Sequence, residues 1–263
     1  MQQGIDLWFV EPGRINSVTL LNAYRDLLTD DEHERGACFH FAKHRRDYLI
    51  TRALVRTVLS RRIGLPPQAL RFEVNAYGRP YLRQRPELSF NLSHTDGMIM
   101  LAIAGDGEIG VDIEQLGTRR ATQELAEHCF APREAAALRM VDTSRRDEIF
   151  FSYWALKESY VKACGLGLSL PFDGFEFDLT QAQSIEFLPP RDRPTDRLIH
   201  FWLLRPSVAH LCAVCALCCR HIPLLNARYV VPLVSEKSFD IPLLRSSVSA
   251  KACETPQVNL TSY

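Results

Sequence analysis

The sequence predicts an α+β fold of two similar halves, because a long helical pattern followed by a series of short strand patterns occurs twice along its 263 residues. Turn signals separate the strand-like pieces, and the two series meet near residues 105 to 115. With 46% hydrophobic and 24% charged residues, the chain has enough apolar material for one large domain or two small ones. The halves are drawn as residues 1–106 and 107–221, followed by a tail over 222–263. No residue-level internal repeat accompanies the repeated order of elements.

Each element has its own signal. Residues 4–10 (GIDLWFV) read as a strand. Over 39–63, Phe41, Tyr48, Leu49, Ala53, Val55, Leu59 and Ile63 mark a long helix that Gly64 and Pro66 stop. Strands follow at 70–74, in RPYL after the Tyr77-Gly78 turn, at 88–93, at 98–104 and at 109–114, which suggests a small antiparallel sheet. In the second half, helices over 119–129, 132–140 and 145–164 precede strands in FEFDL, SIEFL, HFWLL and HLCAVCAL. Residues 189–197 (PPRDRPTDR) read as a loop, and beyond 222 the short apolar stretches, broken by Pro and Ser, predict a weakly ordered tail.

Composition excludes several classes. Thirty-one basic and 31 acidic side chains give a formal net charge of zero, so no whole-protein field favours nucleic acid or an acidic membrane. The N-terminus lacks the pattern of a signal peptide, and no apolar run approaches the roughly 20 residues of a membrane span. A cytoplasmic protein is expected, with its eight cysteines as thiols. Cys212, Cys215 and Cys218 in HLCAVCALCCRH have CxxC spacing, a possible zinc or iron–sulfur pattern. The intervening Ala-Val and Ala-Leu favour instead a buried strand with cysteine as a small apolar residue, its i and i+3 side chains on opposite faces.

The chemistry concentrates in two segments. In IGVDIE, Ile109, Val111 and Ile113 alternate with Gly110, Asp112 and Glu114, so a strand puts both carboxylates on one face. Like charges about 4 Å apart repel by on the order of 4 kcal/mol at an effective dielectric near 20, so such a pair needs a cation or donors unless it is a solvated face. In YWALKESYVKACGLGLSLP, Tyr153, Leu156, Tyr160 and Ala163 form an apolar helical stripe while Glu158 and Lys162 project from the other side. Gly165 and Gly167 then let the backbone pass close to a ligand or partner. Asp112, Glu114 and Glu158 form an oxygen set suited to Mg²⁺ if the helix packs beside the strand. Ser93 and His94, ending the LSFNLSHTDG strand, could hold a phosphate. Arg79 lies on a turn, and Arg35, Lys43, Arg45, Arg46 and Arg52 make the first long helix and its approach basic.

In this order and at these separations, the segments resemble the surfactin-type (Sfp-type) 4'-phosphopantetheinyl transferases. The resemblance rests on Arg35 ahead of Phe39, TRALVRTVLS, AYGRPYL, FNLSHTDG, GVDIEQ, FAPREAAAL and WALKESYVKACGLGLSLP, and covers about residues 5–180. It implies a pseudo-twofold α+β fold, usually monomeric, with coenzyme A and Mg²⁺ (or Mn²⁺) in the cleft between the halves. The implied reaction moves the phosphopantetheine arm of coenzyme A onto a serine of an acyl or peptidyl carrier protein and releases adenosine 3',5'-bisphosphate. By position, Asp112, Glu114 and Glu158 match metal ligands, Lys162 a diphosphate contact, Ser93 and His94 a phosphate- and adenosine-binding pair, and Arg35 a 3'-phosphate contact. Arg79 stands where the family usually has lysine and is expected to bind coenzyme A there as a phosphate donor, while Glu32 stands where some relatives carry a base. Glu158, or Glu134 of FAPRE through a metal-bound water, is the candidate general base, with Lys162 and His94 donating to phosphate oxygens. A carrier could dock near Gly165 to Leu170. Rival classes are a metal-dependent hydrolase of the coenzyme A diphosphate and a non-catalytic binding module; the chain is too long for the short trimeric holo-carrier synthases.

Overall fold

A computed structural model describes residues 4–117, 123–190, 197–218 and 222–247. The first half runs β1 (Gly4–Val10), α1 (Val18–Arg25), α2 (Asp30–Ala37), α3 (Ala42–Ile63), β2 (Phe72–Val74), β3 (Pro80–Leu82), β4 (Phe90–Thr95) and β5 (Met98–Ala104). The chain crosses into the second half with β6 (Glu108–Gln115), then α4 (Gln123–Cys129), α5 (Pro132–Arg139), α6 (Thr143–Cys164), β7 (Glu176–Asp178), β8 (Glu186–Leu188), β9 (Leu198–Ser207) and β10 (His210–Cys218). It closes with β11 (Leu224–Val231), β12 (Ser235–Ser238) and β13 (Leu243–Ser246). No helix among the described residues is long and apolar enough to cross a membrane.

Two sheets stack between two long helices. One has the order β12-β11-β1-β5-β4 and the other β13-β9-β10-β6. Between them lies a core of alternate strand residues, among them Leu7, Met100, Val111 and Val214. The opposite face of the first sheet, with Trp8 and Leu101, packs on Leu54 and Val58 of α3. The opposite face of the second, with Ala213 and Phe201, packs on Leu156 and Tyr160 of α6. Layers therefore run helix, sheet, sheet, helix. The unbroken apolar run MIMLAIA of β5 follows directly, since a strand covered on both faces has no polar side to show. Both α3 and α6 have 22 residues and end at a glycine with positive φ, Gly64 and Gly165.

Several expectations need correction. The first-half strands do not form one small sheet: β2 and β3 make a separate hairpin, and β6 belongs to the second sheet. Helices α1 and α2 escaped the periodicity reading because each has only eight residues, and DDEHERGA of α2 contains no apolar stripe. Local hydrogen bonds start them: Ser17 Oγ accepts the Leu20 amide, and the Glu32 carboxylate accepts the Thr29 amide. The largest revision concerns 222–247, expected to be weakly ordered. Here β11 pairs parallel to β1, β12 pairs with β11 and β13 pairs with β9, so this segment adds two strands to the first sheet and one to the second. Its apolar stretches are short because β-strands are short; residues 248–263 lie outside the described residues.

The cysteine-rich segment forms β10. Cys212 and Cys218 face the layer between the sheets, and Cys215 faces the α6 side. Burial pushes the thiols of Cys212 and Cys215 well up. They serve as small apolar residues of a central strand; Cys219 and His221 lie outside the described residues.

Candidate functional site

The site forms where α6 lies on β6, and Gly110 lets it lie there. A Cβ at Gly110 would come within 2.0 Å of the Ser159 carbonyl oxygen and 2.3 Å of the Ala163 amide nitrogen, both backbone atoms of α6. Only glycine admits the helix this close. Asp112 on the strand and Glu158 and Lys162 on the helix then share one space. Lys162 Nζ is 2.7 Å from Asp112 Oδ1, 3.3 Å from Ser93 Oγ and 3.8 Å from Glu158 Oε2.

The other edge of β6 is held by side chains. Amides of Ile109, Val111, Ile113 and Gln115 donate to Ser89 Oγ, just ahead of β4, and to Asn91 Oδ1, Ser93 Oγ and Thr95 Oγ1 on it, at 3.0, 2.9, 3.4 and 3.3 Å. Short polar residues at every second position of SFNLSHT thus satisfy an edge that would otherwise be buried with unpaired donors. Ser93 belongs to this ladder and also donates to Asp112 Oδ1 at 2.9 Å. Its hydroxyl is thus engaged with both Asp112 and Lys162. His94, next along the strand, points the other way and is exposed.

His94 lines a cavity of about 1400 Å³ with Arg35, Lys43, His44, Arg52, Arg71 and Glu114. Its lining mixes these bases with carboxylates, Asp30, Asp31, Asp47, Glu73 and Asp96 among them, and it reaches Glu114, two residues along the same strand face from Asp112. Glu32, the acid where a base was noted in relatives, pairs within this wall with Arg52 and Arg56. Arg56 is buried by that contact, so its charge is spent internally, whereas Arg35 is exposed to the cavity.

Electrostatics shift Glu158, as burial also raises Glu134 in the second-half core. Burial raises the Glu158 carboxyl above the ordinary glutamate range, Lys162 opposes the shift, and the Asp112 charge adds to it. Asp112 Oδ2 is buried without a hydrogen-bond partner. An orphaned carboxylate oxygen next to a second carboxylate fits a hard divalent cation, which takes oxygen ligands and completes its shell with water and phosphate. Among the described residues, no three His, Cys, Asp or Glu side chains already converge as a metal cluster. Asp112 and Glu158 face each other across Lys162, and Glu114 opens toward the cavity instead.

Three other expected site residues are engaged elsewhere. Glu134 is sealed in the second-half core, where Oε2 accepts the Ala131 amide and pairs with Lys157 at 2.8 Å while Oε1 accepts the Phe177 amide. Arg79 does not project into open space: it donates to Ala163 O at 3.0 Å and Ser89 Oγ at 2.9 Å, and pairs with Glu108 at 2.6 Å. Leu170, suggested as part of a docking surface, is buried in the core with α6. Gly165 and Gly167 shape the end of α6 and its contact with the first half; a Cβ on Gly167 would lie 3.2 Å from the Tyr77 carbonyl oxygen. Sequence reasoning missed Gly110 as the contact point, and it missed Asn91 and Asn75. The period-two polar alternation in SFNLSHT was the available signal for the ladder.

Comparison with known proteins covers both halves. Residues 17–105 match the family described as 4'-phosphopantetheinyl transferase, N-terminal, and residues 108–215 match the 4'-phosphopantetheinyl transferase superfamily. The chain is 35% identical over 145 residues to 4'-phosphopantetheinyl transferase HetI of a Nostoc species, covering 54% of this chain and 61% of that protein. It is 33% identical over 152 residues to a 4'-phosphopantetheinyl transferase of Bacillus subtilis, covering 58% and 66% respectively. To 4'-phosphopantetheinyl transferase Sfp of Bacillus subtilis it is 30% identical over 172 residues, covering 65% of this chain and 75% of Sfp. The first two matches span less than two thirds of those relatives' own length, whereas the match to Sfp spans three quarters. From the acid and lysine at the β6–α6 seam to these matches on either side of it, the findings agree: the chain belongs to the surfactin-type 4'-phosphopantetheinyl transferase family.

Proposed function

We propose that this protein transfers the 4'-phosphopantetheine arm of coenzyme A to a serine of an acyl or peptidyl carrier protein, releasing adenosine 3',5'-bisphosphate in an Mg²⁺-dependent reaction. The observation that carries the reading is Lys162 Nζ held between Asp112 and Glu158, with an orphaned Asp112 oxygen, beside a cavity that Arg35, Lys43 and His94 help to line. Asp112 and Glu158, with Glu114 from the cavity side, would hold Mg²⁺ or Mn²⁺, and the bound ion would neutralise charge building on the coenzyme A diphosphate.

The chain's own residues do the rest by position and charge. Arg35 and the neighbouring bases receive the 3'-phosphate, and His94 reaches the nucleotide from the cavity wall. Lys162, anchored to Asp112 and Ser93, donates to the diphosphate oxygens. Glu158 is the general base: its raised affinity for a proton suits it to take one from the carrier serine as the serine oxygen attacks the β-phosphorus. The bond from that phosphorus to the bridging diphosphate oxygen breaks, and adenosine 3',5'-bisphosphate leaves. Glu134 has both oxygens engaged in the core, which favours Glu158 over it.

The same reading includes a pseudo-twofold relation between the halves, supported by two 22-residue helices, each over the outer face of its own sheet. A monomer that acts on protein rather than nucleic acid is supported by the zero net charge and by the resemblance. The decisive experiment incubates several apo carriers with the protein, Mg²⁺ and coenzyme A. Mass spectrometry should find a carrier heavier by one phosphopantetheine. Adenosine bisphosphate released equally without carrier would instead indicate a hydrolase.

A further inference from the structure

The β2–β3 hairpin belongs to the first half, yet its turn sits on the end of α6 in the second. Asn75 Nδ2 donates to Gly165 O at 3.0 Å, and Arg79 Nη1 donates to Ala163 O at 3.0 Å. Arg79 Nη2 reaches Ser89 Oγ at 2.9 Å and Ile109 O at 3.3 Å, and pairs with Glu108 at 2.6 Å. The turn is itself fixed, because Asn75 Oδ1 accepts the amides of Tyr77 and Arg79, both at 2.9 Å. Gly165 has a φ of +67° and carries Arg79 directly on it: a Cβ there would be 2.9 Å from Arg79 Cδ.

The last carbonyls of a helix lack partners within the helix and carry its negative dipole end. A side-chain amide and a guanidinium from outside meet both needs. What they hold is the turn that follows Lys162 directly and lies just past Glu158. On its other side the same hairpin lines the large cavity through Phe72, Glu73, Val74 and Pro80.

We propose that Asn75 and Arg79 cap the C-terminus of α6 from the opposite half of the molecule and act as positioning residues, setting Lys162 and Glu158 against Asp112. Arg79 is then a strut between the halves rather than a phosphate contact. The hairpin becomes a rigid link by which a ligand in the cavity and the order of the last turn of α6 influence each other. The catalytic consequence rests on the transferase reading; the cap does not.

The test compares the full chain with Asn75→Ala and Arg79→Lys. Lysine keeps the charge but loses the fork that reaches Ala163, Ser89 and Ile109 together. Hydrogen exchange at residues 161–165 should quicken about fivefold in each variant, as expected for loss of one net hydrogen bond. In carrier loading, kcat should fall roughly tenfold with KM for coenzyme A nearly unchanged, the pattern of misplaced catalytic groups. Unchanged exchange in both variants overturns the cap. A raised KM in Arg79→Lys with kcat intact overturns the positioning role and returns Arg79 to the ligand. Should the unaltered protein load no carrier, the transferase reading fails, and the exchange measurement alone decides the cap.

Discussion

Two lysines five residues apart on α6 both lie among carboxylates, and they have opposite fates. Lys157 and Glu134 have side-chain exposures of 0%, and the ammonium spends all its donors on Glu134, Phe172 O and Phe175 O. Phe175 also covers it, with the nitrogen 4.4 Å from the ring centroid. Lys162 is 27% exposed, and its partner Asp112 keeps one oxygen without a donor. Full satisfaction makes the first pair a brace between α6, α5 and the 172–177 segment. The unfinished bonding of the second leaves capacity for a ligand. The lesson is to look for chemistry where a buried polar group is incompletely served, and for structure where it is completely served.

This contrast can be broken by experiment. Lys157→Met leaves Glu134 charged and unpaired in the core, so urea unfolding should show a loss of about 3–5 kcal/mol. Replacing both partners, as Lys157→Met with Glu134→Leu, should recover much of it. Glu158→Gln and Asp112→Ala should each lower carrier loading by roughly 10²–10³-fold, about 2.7–4 kcal/mol of transition-state stabilisation, with the folded circular dichroism spectrum retained. Near-normal activity in either variant would remove the metal and base assignments. Lys162→Met should cost less stability than Lys157→Met, since Lys162 is itself partly solvated and Ser93 still donates to Asp112, while still slowing transfer. If it destabilises the fold as much as Lys157→Met, the contrast fails.

The finest test is the titration of Glu158 in metal-free protein, followed by NMR. Burial is the main cause of its raised pKa, so Glu158 should protonate above the ordinary glutamate range. Lys162→Met removes an opposing charge and should raise it further; Asp112→Asn removes a like charge and should lower it. The sign for stability follows: a carboxyl raised on folding contributes most below its unfolded pKa, and that contribution is lost as pH rises through the folded value.

Much of this was legible in the sequence. Period-two alternation in IGVDIE put Asp112 and Glu114 on one face, and the 3.6-residue stripe of α6 turned Glu158 and Lys162 away from its core. What sequence could not give was the pairing of distant elements. Glycine in a strand signals close approach without saying of what, so the seating of α6 on Gly110 stayed hidden. Glu134 and Arg79 read as available charges because burial and partners are tertiary facts. Strands β11 and β13 were missed since their pairing partners, β1 and β9, lie earlier in the chain, and β12 depends on β11 for its own pairing.

That long return has a consequence during synthesis. Until residue 231 has left the ribosome, β1 has only β5 beside it, and the edge meant for β11 stays open. The first half is thus translated long before its sheet can be completed, and a chain arrested ahead of Leu224 would expose a hydrogen-bonding edge through WFV to any other nascent strand.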